Sequence, residues 1–227
     1  MTPKTFVQKV QVTLKAERNP EKAASMAAYM KDQFPFLGLP QPELKRLSIP
    51  MLNEIKPFVD AKFLHQSVLL LWKLTEREYH YVAITLLYNH TKQAEHSTLE
   101  LIENLVVQKS WWDTVDSLAT LVGKLAWQFP EWLETLEHYS AHENFWLRRI
   151  ALLYQLTYRK KTDQKRLFRY CLINAEEKEF FIRKAIGWAL REYSKTNPDA
   201  VRAFLAENKN RLSSLSVREA SKYLNRV

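Results

Sequence analysis

Apolar residues recur at intervals of three and four along almost the whole chain, and no convincing run of strict alternation interrupts them. The pattern predicts a succession of amphipathic helices and no strand. Their approximate spans are 3–16, 20–34, 42–56, 60–73, 76–92, 97–109, 111–128, 130–141, 144–159, 163–174, 178–195, 198–210 and 215–225. Two starts carry a full set of local signals. Asn19-Pro20-Glu21 and Asn197-Pro198-Asp199 each offer a capping amide, a proline at the first helical position and an acid beside the positive end of the helix dipole.

Linkers of only a few residues make consecutive helices pack antiparallel. One helix pair every ~40 residues is the spacing of HEAT or armadillo units. The expected fold is all-α, an α-solenoid of HEAT-like antiparallel helix pairs, read as one domain over residues 1–227. No strict sequence repeat is visible, so a compact irregular α-domain is the alternative.

Composition narrows the chemistry. Gly38, Gly123 and Gly187 are the only glycines, which argues against phosphate-cradling loops and dinucleotide folds. Cys171 is the only cysteine, so an internal disulfide and a thiolate metal cluster are excluded. His138 and His142 are four apart, but no HExxH pattern or third ligand accompanies them, so a surface pair is expected and no metal site. No apolar run approaches the ~20 residues of a membrane span. The N-terminus, MTPKTFVQKVQ, lacks a signal-peptide core. A cytoplasmic monomer is expected. The net charge of +9 is one-sided: residues 1–142 carry 15 Lys+Arg against 16 Asp+Glu, and residues 143–227 carry 19 against 9. An excess gathered in the last 85 residues is the electrostatic footprint of a polyanion binder, although a merely solubilising basic surface would share it.

The stretch KSWWDTVDSL, Lys109 to Leu118, separates two faces of one helix. Trp111, Val115, Leu118, Val122, Leu125 and Phe129 form an apolar stripe, which assigns Trp111 to the core. Ser110 with Asp113 three residues on reads as a capping box. Trp112 and Asp116 share the next face, followed by Thr120 and Gly123, and that face is too polar for core. A simple ion pair with an arginine is the plainer role for Asp116. In NFWLRRIALLYQL, Arg148 shares a polar stripe with Asn144 and Gln155, where it can be solvated. Arg149 falls among Phe145, Leu152 and Leu156, so its guanidinium needs an anion, either a carboxylate such as Asp116 or a phosphate. In EFFIRKAIGWALREY, Phe181, Lys184, Trp188 and Arg191 interleave aromatic and basic side chains on one face, as a nucleic-acid surface requires. Tyr29 shares a wet stripe with Lys22, Ser25 and Gln33.

SWWDTVD, FWLRRIALLYQL, KEFFIRKAIGWALREYSKTNPD and NPEKAASMAAYMKDQFPFLGLPQPELKR together resemble the AlkD-type alkylpurine DNA glycosylases of the bacterial DNA alkylation repair family. The resemblance covers nearly the whole chain in order. It implies a superhelix of HEAT-like repeats with a concave, positively charged DNA-binding groove. By motif position, it places the catalytic aspartate on Asp116, the cleft tryptophans on Trp112 and Trp188, and the cleft arginine on Arg149. Tyr29, Phe180, Phe181 and Arg191 fall where the family has DNA-contacting or cleft-supporting groups, with Lys184 and Arg148 as further basic candidates. One loop departs from the pattern: Leu39-Pro40-Gln41-Pro42 puts proline, which has no donor, where relatives can carry a polar contact, so that contact is either lost here or passes to Gln41.

The implied activity is hydrolysis of the N-glycosidic bond of cationic N3- or N7-alkylated purines in double-stranded DNA. A positively charged base is already a good leaving group, and a carboxylate beside the sugar stabilises the oxocarbenium-like state and directs water to it. Indole faces add cation–π attraction as the sugar charge develops. This scheme needs no cofactor or metal, and no amine is singled out for a lyase step. Two rivals remain at this level. A non-catalytic DNA-binding relative would keep the basic half and lose the Trp/Asp set. A protein-interaction scaffold would leave the basic C-terminal region unexplained.

Overall fold

The computed structural model describes residues 1–224, and within them the chain forms thirteen α-helices with no strand. They are α1 (Pro3–Ala16), α2 (Pro20–Tyr29), α3 (Gln41–Glu54), α4 (Ala61–Lys73), α5 (Arg77–Asn89), α6 (Thr98–Val107) and α7 (Trp112–Ala126). They continue with α8 (Trp132–Tyr139), α9 (Phe145–Leu153), α10 (Gln164–Ile173), α11 (Phe180–Ser194), α12 (Pro198–Glu207) and α13 (Ser214–Leu224). Each expected helix is present. Asn225, the last residue of the expected final helix, lies outside the described residues. None of these helices is long and apolar enough to cross a membrane.

The local signals act as their chemistry requires. Asn19 accepts from the Lys22 amide at 3.0 Å and Asn197 from the Ala200 amide at 3.2 Å, each with proline following. Several helices end before their expected bounds, α2 and α9 by the most. α2 stops at Tyr29 because Lys31 and Asp32 both turn into the left-handed region, at φ 59° and 56°. Gln33 therefore leaves the stripe shared by Lys22, Ser25 and Tyr29. α9 stops at Leu153 instead of residue 159; the chain then turns, the Gln155 side chain accepts from the Asp163 amide at 2.7 Å, and Arg159 reaches φ 53°.

The chain divides into two compact units, Met1–Leu101 and Ile102–Val227. In the first, α1 buries Phe6, Val7, Val10 and Leu14 against α3 and α4. Glu78, fully buried on α5, accepts from three consecutive amides, Leu37 at 2.9 Å, Gly38 at 2.9 Å and Leu39 at 3.1 Å. Those bonds meet the need of a buried carboxylate for donors. They also fix the segment that leads into α3, whose first residue is Gln41. Gly38 sits at φ 89°, and a Cβ there would lie 2.0 Å from the Asn19 carbonyl oxygen.

In the second unit, helices two apart in sequence pack side by side: α7 on α9, α9 on α11, and α11 on α13. The intervening helices α8, α10 and α12 pack on these same helices. This is the layering expected of stacked helix pairs. α7 and α9 run parallel. Arg149, at the middle of α9, meets Asp116 in the first half of α7, and the Tyr158 hydroxyl, beyond the end of α9, meets the Gly123 carbonyl near the C-terminal end of α7. The stripe Val115, Leu118, Val122 and Leu125 is fully buried, so Trp112 and Asp116 are directed along the opposite edge of α7.

Candidate functional site

Trp112 and Asp116 from α7, Arg149 from α9, and Phe180, Phe181, Lys184, Trp188 and Arg191 from α11 line one open cleft of about 350 Å³. Eight of the sequence candidates thus meet in one place. A larger cavity, about 640 Å³, lies at the other ends of α9 and α11, and its lining holds neither tryptophan nor aspartate.

The cleft is organised around one ion pair. Asp116 Oδ1 accepts from Arg149 Nε at 2.6 Å, and Oδ2 accepts from the NH2 nitrogen at 2.8 Å. The remaining guanidinium nitrogen, NH1, donates to the Phe181 carbonyl oxygen. Each of the three guanidinium nitrogens makes a bond, and a planar fork with three fixed bonds has little freedom to rotate. Exposure separates the partners: the Arg149 side chain is 4% exposed, while that of Asp116 is 15% exposed. Arg149 is therefore a support beneath the carboxylate and does not itself face solvent. Of the two anions its sequence context allowed, the fold selects Asp116.

Burial pushes the Asp116 carboxyl above its ordinary range; the two Arg149 bonds pull it down without cancelling that shift, and Asp113 one turn away raises it further. A positive charge brought beside such a carboxylate would stabilise its ionised form.

Aromatic rings back the cleft. Trp111 meets Phe181 edge-on at 5.2 Å, Trp146 lies 4.9 Å from Phe181, and Phe145 stacks parallel to Phe181 at 6.4 Å. Phe180, 55% exposed, packs edge-on against Phe181 at 5.5 Å. Trp111 packs against these rings but is only half-buried and is not the core residue its place in the stripe suggested: it is the N-cap residue, with extended backbone at φ −160°.

The expected capping box is absent. The Ser110 hydroxyl donates backwards to the Val106 carbonyl at 2.5 Å, and α7 begins without a side-chain cap. Lys109 explains the change. At φ 44° it reverses the chain between α6 and α7 and turns Ser110 toward the end of α6. Asp113 still occupies the first turn of α7, where its charge favours the dipole.

Three basic candidates are engaged by groups of the protein itself. Arg148 is not solvated: it donates to the carbonyls of His142 at 2.6 Å and Glu143 at 3.0 Å and pairs with Glu177. It ties the start of α9 to the loop before α11. Lys184 and Arg191 both reach Glu219 on α13, at 2.8 Å and 3.2 Å. Lys222 joins the same carboxylate at 2.7 Å.

Glu219, which pairs with the cations of this face, was not singled out by the sequence. Its side chain is 4% exposed. Burial alone would raise its pKa, but the bonds and charges of Lys184 and Lys222 prevail and hold it at about 2. The available signal was Gly187. Glycine inside a helix costs about 1 kcal/mol relative to alanine, and here a Cβ would sit 2.5 Å from Glu219 Cβ. The missing side chain lets α13 approach closely enough to clamp the cations of α11.

One consequence is testable by unfolding at several pH values. A carboxylate with a depressed folded pKa contributes stability above its unfolded value, and that contribution is lost as pH falls toward about 2. Glu219→Gln is expected to destabilise the protein at pH 7 and to converge on wild type near pH 2. A constant difference across that range would show that the charge of Glu219 contributes nothing.

In the first unit, Tyr29 ends α2 with 70% of its surface exposed, and Gln41 is exposed at the first position of α3. The His142 ring accepts from the Asn144 amide through Nδ1 at 2.9 Å.

An indole-walled cleft with a guanidinium-locked carboxylate, carried on an all-helical repeat unit, defines a class that comparison makes specific. The chain belongs to the DNA alkylation repair enzyme family, whose model matches residues 10–224. It is similar over 92% of its length to a predicted DNA alkylation repair enzyme from Enterococcus faecalis, at 41% identity and a TM-score of 0.86, with 98% of that chain covered. AlkD2 from Streptococcus mutans shares the fold at 20% identity and a TM-score of 0.61, over 78% of this chain and 88% of that one. A second Streptococcus mutans protein, smu.31, shares it at 18% identity and a TM-score of 0.63, over 89% and 98%. No curated protein matches the chain.

Proposed function

We propose that this family member is a monofunctional glycosylase that releases cationic N3- or N7-alkylated purines from duplex DNA. The observation that carries the reading is the Asp116 carboxylate, locked from beneath by Arg149 and open to a cleft walled by Trp112 and Trp188.

The alkylated base leaves with the bonding electrons and becomes neutral, while the deoxyribose becomes oxocarbenium-like. Asp116 offsets the new charge and orients the water that adds to the anomeric carbon. The faces of Trp112 and Trp188 pack against the sugar and attract the same charge. Lys184 and Arg191, with Lys222 beside them, are held where a phosphate backbone can replace part of their interaction with Glu219. The cleft is open and does not enclose its contents, which favours a grip on the nucleotide backbone over a closed base pocket.

The decisive experiment is release of N7-methylguanine from duplex DNA by wild type and by Asp116→Asn. Binding supplies a second check. Each neutralised phosphate contributes about −0.9 to the slope of log affinity against log salt. Lys184→Ala or Arg191→Ala should reduce that slope by up to about one. Trp188→Ala should impair release and leave the slope nearly unchanged, because an indole displaces no counterions. Affinity that ignores salt in the wild type would mean the basic face does not meet DNA.

A further inference from the structure

α7 carries another tryptophan on the face that presents Trp112 and Asp116. Steps of three and four residues lead from Trp112 through Asp116, Thr120 and Gly123 to Trp127, so all five occupy one helical stripe. At 1.5 Å per residue, Trp127 lies about 22 Å from Trp112 along the axis.

Trp127 ends α7 in helical conformation and is 56% exposed, an unusual position for the largest aromatic side chain. Its ring meets Tyr158 at 4.9 Å, and Lys161 Nζ stands 5.3 Å from its centroid. The base under it is firm. The Tyr158 hydroxyl donates to the Gly123 carbonyl at 2.7 Å, and the approach at Gly123 is so close that a Cβ would lie 1.9 Å from the Tyr154 carbonyl oxygen.

Lys124, Arg159 and Lys160 are exposed around this indole, and among the described residues none of them, nor Lys161, has a carboxylate partner. Asp163, the nearest acid in sequence to Arg159–Lys161, is engaged in capping α10 and lies 3.6 Å from Arg166. A cation in the last turn of α7 also favours the helix dipole, which accounts for Lys124. It does not account for an exposed indole with a lysine on its face, in line with the indole of the cleft.

We infer that Trp127, Tyr158 and the cluster Lys124, Arg159, Lys160 and Lys161 form a second contact for duplex DNA. The cations meet phosphates and the indole packs on a sugar, about 22 Å from the cleft, a span of roughly six phosphate steps along one strand. The inference rests on the glycosylase reading, because it needs duplex DNA seated on the same face of α7.

The test is duplex affinity across a salt series together with single-turnover base release at saturating protein. The proteins compared are wild type, Lys160→Ala/Lys161→Ala, Lys160→Glu/Lys161→Glu and Trp127→Ala. The alanine pair should reduce the salt slope by up to about 1.8 and weaken binding at low salt, and the glutamate pair should weaken binding further. Trp127→Ala should weaken binding at an unchanged slope. Release at saturation should match wild type in both lysine pairs, whose exposed side chains support no core and so leave folding intact. If wild type binds and releases base while every variant keeps its affinity and slope, the second contact does not exist. If wild type neither binds duplex nor releases base, the glycosylase reading fails and takes this inference with it.

Discussion

Asp116→Asn should lower release of N7-methylguanine from duplex DNA by roughly 10²-fold or more, the scale for removing one preorganised group that stabilises a developing charge. The asparagine keeps an oxygen toward Arg149 and keeps the volume of the side chain, so the fold and duplex binding should survive, at some cost in stability because the buried Arg149 loses its counterion. What disappears is the negative charge. Asp113→Asn, in the first turn of the same helix, is the matched control: it removes an acid of the same kind three residues away and should leave the saturating rate within a few-fold. The pH profile adds an independent reading. Only ionised Asp116 can offset the sugar charge, and burial raises its pKa above the ordinary carboxylate range. The rate should therefore rise with pH through that elevated value and then level off. An Asp116→Asn enzyme with wild-type release, or a loss of activity in Asp113→Asn instead, would overturn the assignment.

Arg149→Ala should be the most destabilising substitution in the cleft, by about 3–5 kcal/mol, because it leaves a desolvated carboxylate without its counterion. In a chain of this size such a loss lowers the melting temperature on the order of 10 °C. Arg149 makes two bonds to Asp116 and one to the Phe181 carbonyl, so α7, α9 and α11 all lose a tie at once. Its removal also deletes the force that holds the Asp116 pKa down. The acid limb of the activity profile should move to higher pH in whatever fraction remains folded. Adding Asp116→Asn to Arg149→Ala removes the stranded charge, so the double variant should recover part of the lost stability. That recovery, measured as a non-additive term in a double-mutant cycle, is absent if the pair contributes nothing. A melting temperature within 2–3 °C of wild type for Arg149→Ala would show that the pair is peripheral.

Much of this architecture was legible along the chain because helices are written locally. The caps at Asn19 and Asn197 need only side chains three residues from the amides they meet, and the observed bonds follow that spacing. The separation of Trp112 and Asp116 from the buried stripe of Val115, Leu118, Val122 and Leu125 needs only the 3.6-residue period. Arg149 among apolar neighbours announced that it required an anion, again from one helix face.

The tertiary structure decided which groups met. Nothing within α9 distinguishes a carboxylate from a phosphate as the partner of Arg149; the parallel packing of α7 and α9 brings Asp116 to 2.6 Å. Arg148 read as solvated because its anchors, two carbonyls and Glu177, are supplied by the turn and the loop around α9. Ser110 matched a capping pattern, and the left-handed turn at Lys109 gave its hydroxyl to α6 instead. Glu219 lies 28 residues from Arg191 in the chain, and only the approach permitted at Gly187 sets its carboxylate among three cations. Periodicity and capping are short-range properties encoded within a turn or two, whereas the choice of charge partner depends on distances between helices that packing alone establishes.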